Sequence, residues 1–160
     1  LSDVFKKLHD TYWNKILLKT IGSKIYDKQE LWNINLLQKD RVKDEEEDDI
    51  LSFDIWIMPL VDTDWNRWKW GCKLLQYMSK WLAAVASNVW VNNEIIVDGE
   101  SWFLANDKGD RFNHLSLLIE NFTLREQIGY NAKTRVKNFY SVHHYIHTYI
   151  AIFKAISNGN

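Results

Sequence analysis

The sequence predicts an α/β domain, a Rossmann-like three-layer sandwich with a parallel sheet covered by helices on both faces. Three observations carry this expectation. Short apolar runs without polar alternation recur along the chain, as strands buried on both faces require. Segments with helical apolar spacing fall between those runs, the order expected when crossover helices connect parallel strands. The length of 160 residues suits one domain, and a hydrophobic fraction of 46% suffices for a core.

Taken in order, Leu1 to Trp13 places Leu1, Val4, Phe5, Leu8 and Tyr12 at helical spacing, with Ser2 or Asp3 as the N-cap. Ile16–Ser23 reads as a buried strand ending at Gly22, and residues 24–43 stay unassigned. Asp44–Phe53 is acidic at its start and apolar at its end, the polarity that a helix dipole favours. Asp54–Leu60 is a second strand, stopped by Pro59. After a loop to Trp70, a helix begins near Gly71. Leu82–Ser87 is a third strand, Asn93–Val97 a short helix and Ser101–Asn106 a fourth strand. Three helices close the chain over 110–121, 123–138 and 142–156.

Composition narrows the function. Twenty basic residues against twenty-one acidic ones give a net charge of −1, without the basic footprint of a nucleic-acid partner. A single cysteine makes neither an internal disulfide nor a cysteine zinc site, so a reducing, cytoplasmic setting is expected. No apolar run is long enough to span a bilayer, and the first residues lack the order of a signal peptide. The chain begins with Leu1 and reads as a piece of something longer.

In an open parallel sheet, ligands bind beyond the carboxyl ends of the strands, beside helix N-termini. Two exits fit: the Gly22–Ser23 turn, and the loop from Asp62 to Trp70 that leads into the helix at Gly71. Free N–H groups, a glycine and Lys73 in the first turn suit a diphosphate. A helix starting at a glycine with a solvated lysine is the plainer alternative. Asp62 and Asp64 read as loop carboxylates; nothing marks them as an acid–base pair across a sugar. His143, His144 and His147 share a helix, but no glutamate stands between them as in zinc-binding helices, and no metal is expected.

A string of ordered motifs then narrows the reading. From Asp54 to about Ser141 the chain resembles the C-terminal domain of the retaining group 1 glycosyltransferases. Their D-I-G-I-M-P-L, D-T-x-W, K-L-L-Q-Y-M, V-V-A-S, E-I-V and G-F-L-A segments have counterparts here in DIWIMPL, DTDW, KLLQYM, AVAS, EII and WFLA. Leu124–Ser141 fits the family's downstream helix with its closing Tyr-Ser.

The resemblance implies one half of a GT-B fold: a single donor-binding domain over residues 1–160, incomplete at its N-terminus, with the acceptor domain absent. It implies a UDP- or GDP-linked sugar as substrate, no cofactor, and transfer of the sugar to an acceptor only in the parent protein. The domain alone is expected to be inactive. A peripheral membrane association would run through the absent half. Gly22, Lys69, Gly71, Cys72, Lys73, Leu74, Gln76 and Glu94 become the donor-binding candidates; catalytic residues stay unassigned. Of the family's Glu-x7-Glu pair, the first position holds Trp68 and the second Gln76, whose amide still suits a ribose hydroxyl. Cys72 replaces an apolar residue and reads as space-filling. The alternative is a non-catalytic Rossmann-like nucleotide- or protein-binding module. A response-regulator-like domain is disfavoured because the first strand ends in Ile-Gly-Ser, not in an acidic cluster.

Five departures share one pattern. Trp56, Trp68, Trp81, Trp90 and Trp102 stand where the family has glycine, and Ala83 replaces its proline. Nine tryptophans beside six glycines make an excess and a deficit that one cause explains: UGA codons meant as glycine and read as tryptophan. A decayed gene with a blocked pocket is the other explanation. Under the decoding reading Trp68, Trp81, Trp90 and Trp102 should be exposed at turns, Trp56 accommodated inside the sandwich, and Trp65 ordered near the cleft. Trp13 and Trp32 carry no conflict in this reading.

Overall fold

The computed structural model describes residues 1–22, 34–64 and 71–157. Its elements are α1 (Ser2–Tyr12), β1 (Leu18–Ile21), β2 (Leu36–Lys39), α2 (Glu46–Leu51), β3 (Ile55–Met58), α3 (Cys72–Ser79), β4 (Ala83–Ser87), α4 (Trp90–Ile95), β5 (Phe103–Ala105), α5 (Lys108–Glu120), α6 (Phe122–Phe139) and α7 (Val142–Ser157). All pairing is parallel, as expected. β1 pairs with β2, and β3, β4 and β5 form a second ladder in that order.

β4 is the centre of the core: all five of its residues are buried, and Ala84, Val85 and Ala86 lose all contact with solvent. Helices cover both faces. α1 and α5 form one layer and lie side by side in the same direction: Lys108 pairs with Asp3 at their starts, and Tyr12 Oη donates to Glu120 Oε1 at 2.6 Å near their ends. α3 and α6 form the other layer, with Leu74, Met78, Ile128 and Ala132 buried against the sheet. Removing such side chains from water stabilises by about 1.5–3 kcal/mol each.

β2 lies in the stretch that sequence reading leaves unassigned. LLQK is half polar, and its burial is partial, so no apolar run announces it. The short helix forecast at 93–97 forms three residues earlier, because Val89 is extended and Ile96 leaves helical geometry.

α2 is tied down by charge. Asp49 is buried and accepts from Lys39 at 2.8 Å and Lys19 at 3.1 Å, while Lys19 also donates to Ser52 Oγ at 2.7 Å. Lys39 and then Lys19 hold the Asp49 carboxyl below its usual range. Arg41 pairs with Glu46, and Lys80 with Glu47, so α2 bridges β1, β2 and α3.

The tryptophans divide. Trp81 follows the C-cap of α3 and has φ +68°, the left-handed conformation that helix ends reserve for glycine. It is 49% exposed, as expected, with its ring against Tyr130. Trp56 is half-buried in β3 and stacks on Tyr77, with centroids 3.9 Å apart. Trp102 corrects the expectation: it is fully buried in the core just ahead of β5, its ring beside that of Trp56 and its Nε1–H donating to the Leu82 carbonyl at 2.6 Å. Trp13 is a second correction. It ends α1 with φ +47° and ψ −121°, also a glycine conformation. Among the described residues, the only non-glycine residues at positive φ are these two tryptophans. The expectations for Trp65, Trp68 and the Trp90 side chain lie outside the described residues.

Two outcomes follow for stability. Trp81→Gly should stabilise by roughly 0.5–1 kcal/mol through relief of left-handed strain, whereas Trp102→Gly should cost about 3–5 kcal/mol through the cavity it opens; urea midpoints measure both, and peptide mass spectrometry of native protein identifies the residue at 13 and 81. Asp49→Asn should lower the melting temperature most at neutral pH. Because the folded carboxyl is held low, its contribution is complete above about pH 4 and fades as pH falls through the folded value. The gap between parent and variant should therefore narrow on acidification.

Candidate functional site

Parallel order fixes where the strands open. β3, β4 and β5 each leave the sheet at the same end, so the loops at 59–64, 88–89 and 106–107 converge there. The chain returns through α3, whose first turn starts at that end with Gly71 as its N-cap. Among the described residues no side-chain hydrogen bond caps this helix, so its first N–H groups have no capping partner there. Gly71 is buried and packs on Val91 and Ile95 of α4; a Cβ there would displace the terminal methyl of Ile95. The helix start is thus seated as close to α4 as a glycine allows.

Around it the structure gathers several candidates. Cys72 and Lys73 are exposed on the first turn. Gln76 is exposed one turn later, close enough to the Glu46 side chain to help hold its carboxyl low, as the charge of Lys73 also does. Arg41 holds Glu46 by a 2.9 Å ion pair, and this pairing keeps the Glu46 carboxyl below its usual range. Gly22 ends β1 with φ +71°, donates its N–H to the Lys39 carbonyl at 2.9 Å, and sits against the Arg41 side chain. Gly22, Lys73 and Gln76 therefore meet at one rim through Arg41 and Glu46. Arg41 and Glu46 offset each other, and Lys73 adds a positive charge beside them.

The other candidates lie differently. The Leu74 side chain is fully buried and belongs to the core, so only its backbone takes part in the helix start. Glu94 is exposed on α4, and its carbonyl accepts from Arg135 and Tyr140. Lys69 lies outside the described residues. His143, His144 and His147 sit along exposed α7, and among the described residues no three His, Cys, Asp or Glu side chains converge as a metal site. No helix among the described residues is long and apolar enough to cross a membrane.

Sequence reading misses a second feature of the rim. Ser87, buried at the end of β4, accepts at its Oγ from the Leu60 N–H at 2.9 Å and from Arg111 Nη2 at 2.9 Å. Burial pushes the Arg111 guanidinium below its ordinary value, and its Nε has no hydrogen-bond partner among the described residues. Nothing in the local sequence marks Arg111, because its role depends on a serine 24 positions away.

No family model matches the chain, and no curated protein matches it. Solved structures do. The C-terminal domain of the group 1 glycosyltransferase LpcC from Francisella tularensis superposes with a TM-score of 0.59 at 23% identity, over 72% of this chain and 58% of that one. TarM gives 0.73 at 14% identity, over 95% and 31%. A glycosyltransferase from Rickettsia africae gives 0.74 at 14% identity, over 99% and 45%. The chain therefore shares a fold with parts of these proteins while spanning 31–58% of the length of those chains.

Ser87→Ala should leave the buried guanidinium and the Leu60 N–H without their shared acceptor. A loss of about 1–3 kcal/mol is expected, read as a lower urea midpoint.

Proposed function

We propose that this chain is the nucleotide-sugar donor-binding half of a retaining glycosyltransferase, whose parent moves a hexosyl group from a nucleoside diphosphate to an acceptor. The observation that carries the reading is the uncapped start of α3 at the exit of β3, with Gly71 seated on α4 and Lys73 in the first turn. The ordered motif resemblance and the shared fold both support it.

The chemistry suits this rim. Breaking the anomeric C–O bond leaves its electron pair on the diphosphate, so negative charge grows on the leaving oxygen. A helix N-terminus offers N–H groups and a partial positive charge to that oxygen, and Lys73 adds a full one. The helix N-terminus is in place before the bond breaks, so its share needs little reorganisation. Gln76 is placed one turn farther along, where its amide can serve a ribose hydroxyl once it leaves Glu46. Lys69 completes the proposed donor set together with Gly22, Cys72 and Glu94. The acceptor and the group that takes its proton belong to the parent's other half.

Calorimetric titration with UDP-glucose and GDP-mannose tests the reading. One of the two should bind, and Lys73→Ala should weaken it by roughly 10-fold or more, the worth of a charge-assisted contact. Absence of binding to either would favour a non-catalytic module. Binding that ignores Lys73→Ala would move the diphosphate elsewhere.

A further inference from the structure

α7 stands apart from the rest of the chain. Of helices α1 to α7 it is the one with no buried residue, yet most of its 16 positions are apolar or aromatic. Successive helical residues turn by about 100°, which gathers Tyr145, Ile146, Tyr149, Ile152, Phe153 and Ile156 on one face. Phe153 is 69% exposed and Ile156 66%, and the spacing of three and four makes the face one continuous apolar strip. His143, His147, Thr148 and Lys154 fall on the other side of the helix.

Charge is segregated in the same stretch. After Glu126 the sequence holds Lys133, Arg135, Lys137 and Lys154 but no Asp or Glu, in a chain whose net charge is −1. Arg135 is engaged by α4, donating to the Ile95 and Glu94 carbonyls, whereas Lys133, Lys137 and Lys154 are exposed. These two features decide between occupants. A second α7 packed on the first would bury apolar area but offer the lysines no carboxylate side chain. A nucleic acid would use the charge and leave the apolar face in water. An anionic bilayer surface supplies both partners, phosphates at the headgroup level and hydrocarbon beneath them. Length fixes the orientation. The 16 residues of α7 rise about 24 Å, short of the roughly 30 Å hydrocarbon core, so the helix would lie in the surface without crossing it.

We propose that α7 is an interfacial helix that seats this chain on an anionic bilayer. Its apolar face enters the headgroup–acyl boundary, where the tyrosine rings keep their hydroxyls in the polar layer. Lys154 and the lysines of α6 draw the helix to the lipid phosphates. The attachment belongs to this chain's own residues, and it does not rest on the proposed sugar donor.

Sedimentation of the 160-residue chain with lipid vesicles tests the proposal. Phosphatidylcholine–phosphatidylglycerol vesicles at about 3:1 should bind it about 10-fold more tightly than phosphatidylcholine alone. Lys154→Glu should narrow that gap. Ile146→Ser/Phe153→Ser should weaken binding to the mixed vesicles by about 10-fold or more, through lost apolar burial in the boundary. The urea midpoint of this double variant should not move, because neither side chain is buried in the fold. Phe122→Ser, at a comparably exposed phenylalanine of α6, should leave vesicle binding unchanged. No binding to either vesicle, equal binding to both, or full binding by the double variant would overturn the proposal. So would an equal loss from Phe122→Ser. Amide exchange in Val142–Ser157 that slows with protein concentration in the absence of lipid would also contradict it, since a second copy would then cover the face.

Discussion

Parallel pairing around β4 is the constraint on which the rest depends. Two parallel neighbours on a buried strand cannot be joined by tight turns, so each connection must cross the sheet as a helix. Those crossovers provide the helical layers that bury β4, and they also force every strand exit to one end. The candidate site is thus a by-product of the core. Gly71, Lys73 and Gln76 stand where they do because α3 has to begin where β3 ends.

Charge supplies what apolar packing leaves loose. β1 and β2 bury little, with no fully buried residue between them, and their attachment to α2 runs through Asp49 and the lysines on either side. The same helix carries Glu46, which ties Arg41 and Gln76 to the rim. A structural clamp and the electrostatics of the site therefore share six residues of helix.

Much of the fold is legible in the sequence, for a definite reason. β4 and β5 are buried along their whole length and β3 packs half-buried beside β4, so all three read as apolar runs, and β1 ends at a glycine that takes positive φ. β2 is not legible, since a strand with polar residues at Gln38 and Lys39 looks like a loop. Arg111 escapes because its partner Ser87 is remote in sequence. The tryptophans show the limit most plainly. Trp81 behaves as a residue in a glycine's place, while Trp102 is packed and hydrogen-bonded like an ordinary core indole. Trp13 carries the backbone signature without any motif to announce it.

Backbone amide shifts during titration with a nucleotide sugar test the central claim most directly. Binding at the proposed rim should move the amide signals of Gly22, Gly71, Cys72 and Lys73 together, with one common saturation curve. The α7 amides from Val142 to Ser157 should stay fixed. Shifts confined to α7, or saturation that leaves Gly71 to Lys73 unmoved, would contradict the account.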